Sequence, residues 1–308
     1  MQVDVNGTRL WFDADGPALV PHGSAMLQRP TVVLVHGGPG VYDHSYFKPD
    51  FGLLTEHAQV VYLDLRGHGR STWGNAADWS YETCADDIRA FCDTVGIGNP
   101  IVFGHSMGGP IVLLYGARHP GHASGLIVQS GFARWDGPRL VDGFRRVAGD
   151  EVAELAERSY GGEEVSDEEW ARVYAAFGLK VPDEERRAAT PKNLELSSYG
   201  MELTLRLDIV DQLSRIDSPT LVSAGELDPV TPVGAAEEIF GALPEDIAQL
   251  EIIARAGHFT WLDAPNHFWP IIFDFIQGVI EPERAHPTAS ENGAPIGSGA
   301  AADRAPDG

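Results

Sequence analysis

Pro100-Ile101-Val102-Phe103-Gly104-His105-Ser106-Met107-Gly108-Gly109 is an apolar run that leads directly into G-x-S-x-G, and the segment behind it, Pro110 to Ala117, is apolar and compatible with a helix. Strand, sharp turn and helix form the setting of a nucleophile elbow, in which a serine hydroxyl is presented at the edge of a sheet. So tight a turn leaves no room for a Cβ two residues either side of the serine. Gly104 and Gly108 carry none, and Gly109 lets the helix lie close to the sheet. In a chain with 35 glycines a bare G-x-S-x-G arises by chance, so it is the flanking strand and helix signals that make Ser106 the candidate nucleophile.

Outward from the elbow, strand-like and helix-like segments alternate. Thr31–Val35 is a β-branched run ending at His36-Gly37-Gly38-Pro39-Gly40, and Gln59–Leu63 is another, ending at Asp64-Leu65-Arg66-Gly67-His68-Gly69-Arg70-Ser71. A helix is expected over Tyr81–Val95, with Ala85, Ile88, Phe91, Cys92 and Val95 on one face. Further strands are expected at Ile101–Phe103 and Gly125–Val128. Strands separated by helices predict an α/β fold, a mostly parallel central sheet flanked by helices. From about Phe132 to Gln212 the strand signal stops and acidic amphipathic segments such as Asp150–Tyr160 and Ser166–Phe177 take over. It returns at Pro219–Ala224 and Leu250–Ile253, before a helix near His267–Val279. The chain thus divides into an α/β core (1–131 and 213–280), a helical cap inserted over 132–212, and a tail (281–308) of Ala, Pro, Gly and Ser, expected to be disordered.

Composition narrows the function classes. With 308 residues, 43% of them hydrophobic, the chain can bury a large core. No apolar stretch approaches the ~18 residues of a membrane span and no basic-then-apolar leader opens the chain, so a soluble, cytoplasmic protein is expected. A net charge of -23 argues against nucleic acid and anionic membranes as partners and leaves a small-molecule substrate. Cys84 and Cys92 sit eight residues apart in the expected helix, ~12 Å at ~1.5 Å per residue, too far for a disulfide. No Cys/His cluster has metal-ligand spacing and no Gly-rich phosphate loop is present, so neither metal nor cofactor is expected.

A serine hydroxyl needs a base, and the base needs an orienting acid. Among the 11 histidines, His258 follows the last strand in the loop Ala256-Gly257-His258-Phe259, at the sheet edge that carries the elbow; His267 is the runner-up. His36 is read as shaping its loop, His68 as a turn residue and His105 as pointing away from its neighbour, while His44, His57, His119 and His122 are expected in solvent. The acid should follow the preceding strand. Asp228 in Gly225-Glu226-Leu227-Asp228-Pro229 is so placed, with Glu226 and Asp136 as alternatives and a plain turn before Pro229 as the bland reading. An oxyanion hole needs two backbone N–H groups, for which Met107, after the nucleophile, and Gly38, in the loop after Thr31–Val35, are the candidates.

With Ser106, Asp228 and His258 in that order, the chain over about residues 1–280 resembles the α/β-hydrolase superfamily. His36–Gly40 as HGGPG, together with Asp64–Ser71 as DxRGxGxS, resembles the proline iminopeptidase family. That resemblance implies removal of an N-terminal proline, with cap carboxylates gripping the substrate ammonium; Glu195 and Glu202 are the candidates, against the plainer reading that both are solvated charges on a helix surface. The elbow Gly104-His105-Ser106-Met107-Gly108 instead looks like those of esterases, lipases and lactonases, where the iminopeptidases usually have Gly-Gly-Ser-Trp-Gly. Trp135, Phe144, Trp170, Tyr174 and Phe177 either wall a substrate pocket or form the cap's own core. The expected activity is cofactor-independent hydrolysis of a small ester, lactone or amide through an acyl-enzyme, with a proline iminopeptidase-type aminopeptidase as the alternative. A cofactor-free haloperoxidase or C–C bond hydrolase shares the triad. A dehalogenase or epoxide hydrolase would want Asp at position 106, and a binding protein that had lost the chemistry would show a broken triad position.

Overall fold

The computed structural model describes residues 1–182 and 184–285. It opens with β1 (Gln2–Val5) and β2 (Thr8–Asp15), joined through Asn6 (φ 45°) and Gly7 (φ 74°), the Asn-Gly pair that a tight hairpin with positive φ at both central positions requires. A small hairpin of β3 (Leu19–His22) and β4 (Ala25–Gln28) follows. None of these four strands was expected, although Asn6-Gly7 is a readable signal for the first hairpin.

The alternating section then unfolds as β5 (Thr31–Val35), α1 (Lys48–Phe51), β6 (Gln59–Asp64), α2 (Tyr81–Val95), β7 (Ile101–His105), α3 (Gly108–Arg118) and β8 (Gly125–Gln129). The expected helix 81–95 has its ends marked locally. The Ser80 hydroxyl accepts from Thr83 N, and Gly96, at φ 76°, closes the C-terminus in the left-handed conformation that favours glycine. Cys84 and Cys92 are both free and buried.

Between β8 and the next strand run α4 (Gly137–Ala148), α5 (Asp150–Tyr160), α6 (Asp167–Ala175), α7 (Glu184–Ala189) and α8 (Leu194–Thr204). The core resumes with β9 (Thr220–Gly225), α9 (Val233–Ala242), β10 (Ala248–Ile253), α10 (Thr260–Asp263) and α11 (Pro265–Ala285). Helix α11 outruns its expected end, so residues 281–285, assigned to the tail from composition, are helical. The rest of that expected tail, 286–308, lies outside the described residues.

The eight-stranded sheet has the order β1-β2-β6-β5-β7-β8-β9-β10, antiparallel at the β1 edge and parallel from β6 to β10. Successive residues of β5 point to opposite faces. Val33 and Val35 join a core with Ile88 and Phe91 of α2 and Ile111 of α3, while Val32 and Leu34 join one with Phe51 of α1 and Phe268 and Ile272 of α11. Two covered faces explain why these strands read as continuous apolar runs. The chain leaves β5 for β6 on one side and returns to β7 on the other. The loops after β5 and β7 therefore diverge, and in open parallel sheets ligands bind in the crevice that such a reversal opens. Among the described residues no helix is long and apolar enough to cross a membrane.

Candidate active site

Ser106 follows β7 at φ 55°, a region that costs a side-chain-bearing residue about 1–2 kcal/mol and survives only where the surroundings enforce it. The enforcement is visible: Ser106 N donates to Gln129 O at 3.1 Å, and Gly109 N donates to Ser106 O at 2.8 Å. A Cβ on Gly104 would lie 2.2 Å from Gly108 O, and one on Gly108 would lie 2.4 Å from Val35 O. From Ile101 to Ala117, Ser106 is the one residue that is not buried.

Two strands away, β9 ends in the turn that carries Asp228, which is fully buried. One carboxylate oxygen accepts Val230 N at 2.8 Å and Thr231 N at 3.0 Å; the other accepts the Thr231 hydroxyl at 2.7 Å and faces His258 Nδ1 at 2.8 Å. His258, which is 3% exposed, thus has Nδ1 held as the donor to Asp228 and Nε2 on the opposite side of the ring. The alternatives do not meet this pair. His267 is exposed at the start of α11, Glu226 is exposed and accepts Arg255 N, and Asp136 caps α4 through Arg139 N. The loop of His258 is in turn anchored to the helical insertion. His258 N donates to Phe177 O at 2.6 Å, and Asp263 accepts Gly257 N, Leu179 N and Lys180 N.

The loop after β5 packs directly on the elbow, since a Cβ on Gly37 would lie 2.9 Å from Ser106 Cβ. In the segment Gly37 to Gly40 the amides other than that of Gly38 are engaged or missing. Gly37 N donates to the Tyr46 hydroxyl at 2.9 Å, Gly40 N donates to His68 Nε2 at 2.8 Å, and Pro39 has no N–H. Gly38, at φ 59°, is left, and it alone between Val32 and Gly40 is not fully buried. Met107 is the N-cap residue of α3, where helical N–H groups lack intrahelical partners.

Several histidines prove structural. His36 is fully buried, with Nδ1 on Gly37 O and Nε2 accepting Leu65 N, and burial holds its pKa below the ordinary 6.5. Burial pushes His68 down to about 3, so Nε2 stays unprotonated to accept Gly40 N. The expectation of solvated histidines needs correction. His44 and His122 are buried, on Asp64 and Tyr115 respectively, while His57 and His119 are half-buried against Phe273 and Asp86. Asp43, His44 and Asp64 bring ligand atoms within 4.8 Å of one another, but both Asp64 oxygens already accept, from His44 N and Nδ1 and from Arg70 N, and Asp43 accepts Ser45 N. This donor set is engaged in joining the loops and does not fit a metal.

In the helical insertion, Glu195 and Glu202 are both exposed, and Glu202 pairs with Arg206 at 2.8 Å. The expectation that they converge on a substrate ammonium is therefore corrected: the inward face of α8 is Leu196, Gly200 and Thr204. Phe144, Tyr174 and Phe177 are buried in the core, and the Phe177 ring stands 5.6 Å from that of His258. Trp135 is half-buried against Phe132 and Tyr160 and lines, with Leu140, Tyr160, Asp142, Arg145 and Glu157, a groove of about 430 Å³ that Ser106, Asp228 and His258 do not line. Tyr160 is near enough to Asp228 for that carboxylate to assist burial in raising its phenol pKa. Thr231 and Tyr46 were not singled out from sequence. Thr231 had a signal, since Asp-x-x-Thr is a pattern in which the acid bonds the turn after it; Tyr46 had none.

Residues 30–265 match the family described as alpha/beta hydrolase fold. An AB hydrolase superfamily protein of Bacillus subtilis, YisY, is 30% identical over 258 residues, which is 79% of this chain and 90% of the relative. A proline iminopeptidase of Thermoplasma volcanium is 26% identical over 273 residues, 81% of this chain and 90% of the relative. The structure of a thermophilic esterase from Thermogutta terrifontis matches with a TM-score of 0.63 at 25% identity, covering 91% of this chain and 99% of that one.

Proposed function

The chain belongs to the α/β-hydrolase fold family, and from that premise we propose that it is a cofactor-independent serine hydrolase that opens a small uncharged ester, lactone or amide through an acyl-enzyme. One observation carries the reading: a serine at φ 55°, alone accessible in a buried strand–turn–helix, on the sheet edge where Asp228 and His258 meet at 2.8 Å. A protein has no folding reason to hold a strained, accessible serine beside a buried Asp–His pair, whereas nucleophilic catalysis requires all three.

Ser106 Oγ adds to the substrate carbonyl while its proton passes to His258 Nε2. Asp228 holds the opposite ring nitrogen and stabilises the imidazolium that forms. The tetrahedral oxyanion rests on the N–H groups of Gly38 and Met107. Collapse expels the leaving group with the proton from His258, leaving the acyl group on Ser106. A water deprotonated by the same imidazole then releases the acid.

The acidic residues favour an uncharged substrate. Among the described residues of 132–212, every Asp and Glu with described burial is exposed except Asp136 and Glu169, which cap α4 and α6. An aminopeptidase must hold a desolvated ammonium, which calls for a buried or converging carboxylate. The HGGPG loop and the Thermoplasma volcanium relative nonetheless favour a second reading as a proline iminopeptidase-type aminopeptidase.

The test is side-by-side turnover of p-nitrophenyl acetate and butyrate, an N-acyl homoserine lactone and proline p-nitroanilide, with fluorophosphonate labelling of the wild type and Ser106→Ala. Ester or lactone turnover with a single label lost in Ser106→Ala is expected. Rapid turnover of the anilide with negligible ester cleavage would hand the protein to the second reading, and an unlabelled wild type would end the serine mechanism.

A further inference from the structure

Two residues outside the proposed triad connect its loops. Gly37 N donates to the Tyr46 hydroxyl at 2.9 Å; that hydroxyl lies 3.0 Å from His105 Nδ1; and His105 Nε2 lies 3.0 Å from His258 O. The direction of every proton in this chain can be deduced. A backbone carbonyl only accepts, so Nε2 of His105 carries the hydrogen. Burial, with His258 nearby, holds the His105 pKa well below 6.5, so the ring is neutral and Nδ1 is an acceptor. The Tyr46 hydroxyl must then donate to Nδ1, which leaves its oxygen to accept Gly37 N–H. Read in order, the oxyanion loop donates to Tyr46, Tyr46 to His105, and His105 to the backbone of His258.

We propose that Tyr46 and His105 are positioning residues: one directed hydrogen-bond chain fixes the distance between the oxyanion loop, the residue that precedes Ser106 and the backbone of His258. The proposal rests on the serine-hydrolase reading. Its surroundings argue against mere packing. Tyr46 and His105 lie among Phe259 and Trp261, with Tyr46 also against Phe47, a dry cluster that a Phe at either position would fill. Polar groups there are costly unless paired, and the Tyr46 hydroxyl and both His105 ring nitrogens each have a partner. The chain also acts where tolerance is smallest, because Gly37 neighbours the oxyanion donor Gly38, and a displacement of about 1 Å at such a site can cost about 100-fold in rate.

Tyr46→Phe removes one oxygen and leaves Gly37 N–H without its acceptor. It is expected to lower kcat on p-nitrophenyl butyrate by about 10- to 100-fold with KM changed less than about twofold, and to slow fluorophosphonate labelling by the same factor. His105→Phe should do likewise, and the double variant should be little worse than either single change because one chain is broken in each case. His105→Gln, whose amide offers a donor and an acceptor, should recover most of the loss. Long-range ¹⁵N–¹H correlation spectra of the wild type should show His105 as the Nε2–H tautomer. A Nδ1–H tautomer, or kcat within about twofold of wild type in both Phe variants of an enzyme that labels at Ser106, overturns the proposal. An unlabelled, inactive wild type overturns the serine-hydrolase reading and takes the proposal with it.

Discussion

Asp228 illustrates how much a single residue can be asked to do. It accepts from Val230 N, Thr231 N, the Thr231 hydroxyl and His258 Nδ1, so both its oxygens are satisfied without water. Removing the hydroxyl in Thr231→Val leaves the shape nearly unchanged but deprives the carboxylate of one donor. A hydrogen bond to a charged group contributes about 1.5–3 kcal/mol, so kcat should fall by about 10- to 100-fold with little change in KM, measured by steady-state ester hydrolysis. His258→Ala should be nearly as inactive as Ser106→Ala, a loss on the order of 10⁴–10⁶, with the double variant little worse than either. Asp228→Asn should retain more, about 10⁴ below wild type, because the acid orients the imidazole without exchanging its proton. Near wild-type rates in His258→Ala would remove that residue from the mechanism.

Among the elements, β7, the turn and α3 form the piece most fully written in the sequence. Its glycines are there because of backbone atoms, which cannot swing aside: Gly108 O stands 2.2 Å from a Cβ on Gly104, and Val35 O stands 2.4 Å from a Cβ on Gly108. Gly104→Ala and Gly108→Ala should each destabilise the protein by about 3 kcal/mol in urea unfolding. Gly241→Ala, in α9 with nothing within 4 Å of the new methyl, should instead be neutral or stabilise by up to about 1 kcal/mol. Equal effects at the three positions would mean that the tightness of the elbow is not what selects glycine. The hairpin of β1 and β2 was legible too, through Asn6-Gly7, but its strands carry half-exposed residues, so the apolar-run criterion that finds β5 passes over them.

For the whole molecule, the buried neutral histidines set an acid limit. His36, His68 and His105 are held below the ordinary 6.5 by burial, His68 at about 3. The unfolded chain takes up protons on these rings near pH 6.5, whereas the folded chain does not. Their contribution is therefore complete above pH 6.5 and is lost as the pH falls toward the folded values. Each ring removes about 1.4 kcal/mol per pH unit between its two pKa values. Burial works against ionisation of Asp64, yet the hydrogen bonds from His44 and from Arg70 N hold its carboxyl below the usual 3.8, so its own loss begins only in stronger acid. The melting temperature should fall steadily from pH 6.5 to 5, and more gently in His68→Gln. A flat profile over that window would show that these rings are already protonated in the folded protein.

By itself the sequence determined the alternation of strands and helices, the elbow and the loop positions of Asp228 and His258, because each depends on sterics and periodicity within a few residues. Partners distant in the chain it did not determine. Tyr46 and His105 are 59 residues apart and meet only because β5 and β7 are neighbours across the point where strand order reverses. Whether Glu195 and Glu202 face a substrate or the solvent depended on the rotation of α8, which Leu196, Gly200 and Thr204 fix by turning inward. His44 reads as a loop residue until β6 brings Asp64 to within 2.7 Å of it. Local backbone geometry is encoded where it occurs, whereas which polar groups become buried together is decided by the packing of the whole chain.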